Sequence, residues 1–250
     1  MKKLLEVKNL CKDGILHRVS FAVEAGEMVA VMGPSGSGKS TLLYNIAGLD
    51  QPTAGEVWLD GTEIAGLPED EKAALRLHRM GFVFQQMNML SNLNLIDNIL
   101  LPAVQAQKGK RNKTRSKDTL IRDVKNWMKK LSIEELAERD ITQVSGGQLQ
   151  RACICRSMIN APKILFADEP TGALNMSAAG EVMDEFERLN SAGTTILMVT
   201  HDSRVAARCG RILYLLDGKI RGELELPDQK KQTDMERMKC VEAWLGKMGW

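Results

Sequence analysis

Residues Gly33-Pro-Ser-Gly-Ser-Gly-Lys39-Ser40 place two glycines, a lysine and a serine at the spacing of a phosphate-binding loop. The octet follows an apolar run, Met28–Met32, and precedes a helix-like run, Thr41–Ala47. That strand–loop–helix setting separates a phosphate loop from an ordinary glycine-rich turn. Glycines let the backbone curl so that successive N–H groups point inward at the β- and γ-phosphates. In this reading Gly33, Pro34, Ser35, Gly36, Ser37 and Gly38 wrap the phosphates and Lys39 adds a point charge. Ser40 offers a hydroxyl to Mg²⁺, and Thr41 opens a helix whose positive end faces the nucleotide. The loop alone leaves kinase, GTPase and ATPase chemistry open.

Four later segments narrow that choice. Ile164-Leu-Phe-Ala-Asp168-Glu169 is an apolar strand ending in two carboxylates. Asp168 at the tip suits the Mg²⁺ shell, and Glu169 can poise a water for attack on the γ-phosphate. Thr195–Thr200 is a second apolar strand, closed by His201. Parallel to the first, it brings His201 to the same carboxyl edge, where ligands bind, as a γ-phosphate contact. Gln85 ends the short β-like run Gly81–Gln85; its amide can ligate Mg²⁺ or its water, with Gln86 the alternative. Finally, Val144-Ser145-Gly146-Gly147-Gln148 leads into the helix-like run Leu149–Asn160. Ser145 is a suitable N-cap, and the glycines leave backbone N–H groups at a positive helix end. One nucleotide needs only one such anion site. The second has a purpose if it meets the γ-phosphate held by another copy of the chain.

The elements that must position these residues follow from periodicity. Leu4–Val7, Val19–Val23 and Met28–Met32 read as strands, and Glu56–Ile64 as a hairpin around Asp60-Gly61. Helical patterns cover Leu95–Gln107, Asp118–Leu131 and Ser145–Asn160. Beyond Pro162, strand Ile164–Ala167, helix Ser177–Ala192, strand Thr195–Thr200, helix Arg204–Cys209 and strand Ile212–Leu216 alternate. Such alternation predicts an α/β fold with a mostly parallel sheet covered on both faces, interrupted by a helical block at about 86–160. There is no internal repeat. Residues 227–250 read as a charged linker and then an amphipathic helix, with Met235, Met238, Val241, Leu245 and Met248 on its apolar stripe. That stripe is expected to dock on the chain's own domain.

Composition removes other classes. The 34 basic and 32 acidic residues leave a net charge of +2, too little to argue for nucleic acid. Aromatics make up 4% and nowhere alternate with basic residues as a base-stacking surface would. No apolar run suits a secretion signal or the roughly 20 residues of a membrane span, so a soluble chain is expected. Five scattered cysteines fit reduced thiols. Cys153 and Cys155, two apart on a helix, point in divergent directions and read as buried small hydrophobes, not metal ligands. The run Lys108–Lys117 reads as a solvated loop, or as a contact for anionic lipid headgroups.

Together the phosphate loop, Gln85, Ser145–Gln148, Asp168-Glu169-Pro170-Thr171 and His201 resemble an ABC transporter ATP-binding subunit over residues 4–225. Met-Gly-Pro-Ser-Gly-Ser-Gly-Lys-Ser-Thr-Leu-Leu, Gly-Phe-Val-Phe-Gln and Ala-Asp-Glu-Pro-Thr-Gly-Ala-Leu-Asn look most like the peptide-antibiotic, macrolide and lipoprotein export branch. The last stretch is similar to bacitracin-type ATPases. The resemblance implies a P-loop NTPase with a mixed-sheet core, a small antiparallel β subdomain and an inserted helical subdomain, all within residues 1–226. It also implies ATP and Mg²⁺ as ligands, with Glu169 as general base and His201 on the γ-phosphate. A head-to-tail dimer follows, each ATP lying under the other copy's Ser145–Gln148 segment. Closure would move a transmembrane permease through the helical block, at the cytoplasmic face of the cell membrane. The rival within the family is an ATPase that regulates a membrane complex without transport. Soluble DNA-repair or translation ATPases carry coiled-coil insertions or tandem halves, both missing here. A small-molecule kinase has no use for Ser145–Gln148.

Three departures from the family pattern stand out. Cys11–His17 is short and lacks the aromatic residue that stacks on adenine. Stacking is worth about 1–3 kcal/mol, so roughly 5- to 150-fold weaker ATP binding and loose base selectivity are expected, with His17 the possible substitute. Asn175 replaces a common Asp, losing charge in the segment that couples the dimer. Val144 replaces the usual Leu, a swap without expected consequence.

Overall fold

The computed structural model describes residues 2–108, 115–227 and 232–250. The chain begins β1 (Lys3–Lys12), β2 (Leu16–Glu24), β3 (Met28–Met32), α1 (Lys39–Ile46), β4 (Ala54–Leu59) and β5 (Thr62–Glu63). Then come α2 (Glu69–Arg79), β6 (Met80–Phe84), α3 (Leu95–Gln105), α4 (Lys117–Lys130) and α5 (Gly146–Met158). The order closes with β7 (Ile164–Asp168), α6 (Met176–Ser191), β8 (Thr195–Val199), α7 (Ser203–Ala206), β9 (Arg211–Leu216), β10 (Lys219–Glu225) and α8 (Asp234–Lys247). Two units form: Met1–Lys72, Phe166–Glu169 and Glu187–Trp250 in the first, Ala73–Leu165 and Pro170–Phe186 in the second. Most of the basic run Lys108–Lys117, read above as a solvated loop or a contact for anionic lipid headgroups, lies outside the described residues, at 109–114.

In the first unit, one antiparallel sheet has the order β2-β1-β4-β5. Its register sets Val7 against Phe21 on one side and Val57 on the other. A second sheet runs β10-β9-β3-β8-β7. There β3 pairs in parallel with both β8 and β9, whereas β10 pairs antiparallel with β9. Every residue of β3, β7 and β8 is buried. That is why these strands are nearly unbroken apolar runs: parallel strands covered on both faces have no solvent side to mark by alternation. The first sheet and β10 make the architecture mixed.

Two elements are absent from the sequence reading. The α2 segment is mostly charged, yet Glu69, Asp70 and Glu71 occupy its first turn and Arg76, His78 and Arg79 its last. That arrangement complements the helix macrodipole. The polar strand β10 sits at a sheet edge, where alternate positions face solvent and charge discourages edge pairing. The expected helix Arg204–Cys209 is shorter and starts earlier, as α7.

At the C-terminus, Thr233 and Glu236 form a capping box and α8 packs against α7. Val241 and Leu245 are buried, but Met235 is 63% exposed and leaves the stripe expected of it. Arg237 is buried instead. Its guanidinium donates to the carbonyls of Ala207 and Cys209, each at 2.7 Å, and of Pro227. Three carbonyl partners satisfy a buried charge that an apolar pocket alone would not hold.

In the second unit β6 lies beside β7, whose Ile164 and Leu165 belong here. Helices α3, α4 and α5 pack on one another. Asn94, Ser116 and Ser145 cap them, each accepting a backbone N–H of the first turn.

Candidate functional site

The phosphate loop joins β3 to α1 in the first unit. A Cβ on Gly33 would stand 2.1 Å from the Leu215 carbonyl oxygen and 2.6 Å from Ser37 Oγ, so no side chain fits. Gly38, the N-cap of α1, has φ of 97°, a conformation glycine enters without strain. No side chain caps α1, in contrast to α3, α4, α5 and α8, and no acidic residue occupies its first turn. Its leading N–H groups are therefore available to an anion. Ser37 is 5% exposed, and its hydroxyl oxygen is a buried polar atom with no partner. Lys39 Nζ donates to the carbonyls of Gly33 (2.8 Å) and Pro34 (3.0 Å). Burial pulls the Lys39 pKa below its ordinary value, partly offset by the charges of Glu169 and Asp168. An uncapped helix, an orphan hydroxyl and a desolvated ammonium are the donor set a polyphosphate requires.

Asp168 ends β7 beside that loop. Its Oδ1 accepts from Ser40 Oγ at 3.0 Å and its Oδ2 from the Tyr44 hydroxyl at 2.9 Å. A serine hydroxyl and a carboxylate in contact form a hard oxygen pair of the kind Mg²⁺ prefers, so these residues fit the ion. Tyr44 escaped the sequence reading; only its place one helical turn after Ser40, on the same face, could have flagged it. Burial, first, and then the hydrogen bond to Asp168 raise the Tyr44 pKa to about 12.

Glu169 adopts φ of +46°, a left-handed conformation costly for a residue with a Cβ. Its N–H is held by the Val199 carbonyl at 3.0 Å, which locks the turn against the end of β8. The side chain is largely covered, and its Oε1 lies 2.8 Å from Nδ1 of the largely exposed His201. Asp202 follows as the cap of α7. The first unit thus brings Gly33–Thr41, Asp168, Glu169 and His201 together around one sheet edge.

Gln85 and Ser145–Gln148 belong to the second unit. Gln85 stands one residue past β6, exposed like Gln86. The turn that follows is gripped by α5. Arg156 donates to the carbonyls of Asn88 (2.6 Å) and Met87 (2.7 Å), and Cys153 Sγ to Met87 at 3.2 Å. Buried Gln150 donates to the Pro170 carbonyl at 2.7 Å. Gln150, Cys153 and Arg156 share a face through their three-residue spacing. Arg156 was missed in the sequence, where one basic residue on an apolar helix passes for surface. The segment that grips Gln85's turn begins at Ser145.

Ser145 caps α5, accepting the Gln148 N–H at 3.3 Å, while Gln148 Oε1 accepts the Ser145 N–H at 2.8 Å. Part of the Ser-Gly-Gly-Gln spacing is therefore capping-box chemistry. A Cβ on Gly147 would meet Ala178 Cβ at 3.0 Å, so close helix packing also favours a glycine. Asn175 caps α6, accepting the Ala178 N–H at 2.9 Å, a task that needs no charge. Near residues 11–17, Ile15 is 40% exposed and borders Gly38, whereas His17 donates its backbone N–H to the Gly218 carbonyl. Cys153 and Cys155 are both fully buried, and no cluster of metal-ligating side chains exists among the described residues.

Residues 16–172 match the family model described as ABC transporter. The chain is 38% identical over 239 residues to the macrolide export ATP-binding/permease protein MacB of Campylobacter jejuni, covering 94% of this chain and 35% of that one. It thus spans about a third of the length of that relative. It is 36% identical to the lipoprotein-releasing system ATP-binding protein LolD 1 of Chlorobium chlorochromatii, covering 94% of this chain and 93% of that one. The dimeric structure of MJ0796, a bacterial ABC transporter cassette, superposes with a TM-score of 0.81 at 37% identity, covering 90% of this chain and all of that one. With the phosphate loop, the Asp168–Ser40 pair and these likenesses in place, the chain belongs to the ABC transporter family, as an ATP-binding and ATP-hydrolysing cassette with an α/β P-loop fold.

Proposed function

We propose that this chain energises a transmembrane permease at the cytoplasmic face of a cell membrane. It would drive export of, or resistance to, a peptide antibiotic or similar amphipathic substrate. In that reading it works as a head-to-tail pair with a second ATPase subunit, another copy of itself. The observation that carries the catalytic part is the 2.8 Å contact between Glu169 and His201, one residue beyond the Asp168–Ser40 pair. A carboxylate positioned by an imidazole at the phosphate edge is placed to accept a proton from attacking water. Lys39 and the N–H groups of Gly33–Thr41 hold the triphosphate. His201 would contact the γ-phosphate.

Ser40, Asp168 and Gln85 would hold Mg²⁺, which neutralises charge on the phosphate oxygens. Ser145, Gly146, Gly147 and Gln148 present a helix N-terminus to the γ-phosphate of the partner copy. Arg156 ties that helix to the turn after Gln85. The dimeric MJ0796 cassette supports the pairing, and relatives named for macrolide export and lipoprotein release support an amphipathic substrate. No helix among the described residues is long and apolar enough to cross a membrane.

Glu169→Gln tests the assignment. Turnover is expected to fall by about 10²–10⁴, while Mg-ATP still drives dimer formation in size-exclusion chromatography. Near-normal hydrolysis would refute the role of Glu169. Isolation in mild detergent, with identification of the co-purifying membrane protein, tests the permease.

A further inference from the structure

Between α3 and α4 of the second unit lies a cavity of about 400 Å³. Leu100 and Val104 of α3 and Leu120 of α4 form its apolar wall, and Lys108, Arg115 and Lys117 stand on its rim. Val104 is 40% exposed and Leu101, three residues earlier, 44%. Val104 thus exposes apolar surface where it lines the cavity. Arg115 pairs with Asp123 at 3.5 Å, and its N–H donates to Gln107 Oε1 at 3.0 Å. Among the described residues neither Lys108 nor Lys117 forms an ion pair. The sequence from Lys108 to Lys117 carries six basic residues and no acidic one.

We propose that this groove takes an acyl chain of an anionic phospholipid, whose headgroup rests on Lys108, Arg115 and Lys117. The volume is that of a small-ligand pocket. An apolar slot behind a rim of one sign matches an amphiphile with a negative head. Basic residues beside exposed apolar surface are also how a protein engages an anionic membrane. A docked protein would need roughly 800 Å² on this side, far more than one such slot supplies. The groove is separate from the nucleotide residues and does not depend on the permease proposed above.

Flotation of the full chain with vesicles tests it. Binding is expected to equimolar phosphatidylcholine–phosphatidylglycerol vesicles, weakening with salt, and not to phosphatidylcholine alone. Lys117→Gln should weaken it about fivefold, from about 1 kcal/mol per basic residue. Val104→Asn keeps every charge and lies at the surface. It should weaken binding about three- to eightfold, the worth of burying the 40% of the Val104 side chain now exposed, with thermal stability and ATPase unchanged. Wild-type binding by Val104→Asn would overturn the proposal, leaving charge alone at work. Monomeric lysophosphatidylglycerol should bind and glycerol phosphate should not; equal binding would mean a simple anion site and overturn it. So would a wild type indifferent to both vesicles, with Val104→Asn only detaching a membrane-protein partner.

Discussion

Tyr44→Phe removes one hydroxyl and leaves the ring, so it isolates the hydrogen bond to Asp168 Oδ2 at 2.9 Å. A hydrogen bond to a charged group is worth about 1.5–3 kcal/mol when buried. The rise of the Tyr44 pKa from 10.0 to about 12 gives a second measure. Two pH units correspond to about 2.7 kcal/mol before screening. Tyr44 is only partly buried, and burial itself is the largest cause of the shift, so both figures reduce to about 1 kcal/mol. For a chain of this size that loss lowers Tm by about 2–4 °C.

The sign of the pH dependence follows from the raised folded-state pKa. The stabilisation is fully present below the unfolded phenol's pKa of 10.0 and is lost as pH rises through about 12. Urea denaturation of both proteins from neutral to alkaline pH should show a constant gap that closes over that window. The chain has two tyrosines, Tyr44 and Tyr214, so the difference between the two phenolate absorbance titrations reports Tyr44 alone. Equal stability at neutral pH, or a Tyr44 phenolate appearing near pH 10.0, would refute the argument.

Other perturbations reach the remaining parts of the site. Gly33→Ala forces a Cβ to within 2.1 Å of the Leu215 carbonyl; a loss of about 1–3 kcal/mol is expected, with nucleotide binding by equilibrium dialysis falling alongside. Arg156→Ala frees the carbonyls of Met87 and Asn88. Amide hydrogen exchange around Gln85 should accelerate and turnover fall several-fold, while ATP affinity holds; unchanged exchange would dissociate Arg156 from that turn. Burial pushes the Cys153 thiol up to about 11 and the Cys209 thiol up to about 12, and raises Cys155 as well. In the native protein exposed Cys240 should react first with a thiol reagent and Cys11 more slowly, the other three only after unfolding. Fast modification of three or more thiols would contradict the packing of α5.

The sequence by itself determined whatever is written over a few adjacent residues. The glycine spacing of the phosphate loop, the apolar runs ending at Asp168 and His201, and the Ser145 cap all belong to this class. Each expresses a local preference of backbone or solvent that needs no distant partner. Helix α2 and strand β10 escaped because their charge hides the apolar period on which such reading rests.

Only the tertiary structure decided which groups meet. Tyr44 reaches Asp168 across 124 residues, Arg156 reaches Met87 across 69, and Glu169 reaches His201 across 32. No local pattern encodes such pairs; they exist because the order of strands in a sheet sets which loop ends become neighbours. The left-handed turn at Glu169 is of the same kind, a strained backbone held by a carbonyl from another strand. Residue types announced the chemistry, and packing over long sequence separations chose the geometry in which it can occur.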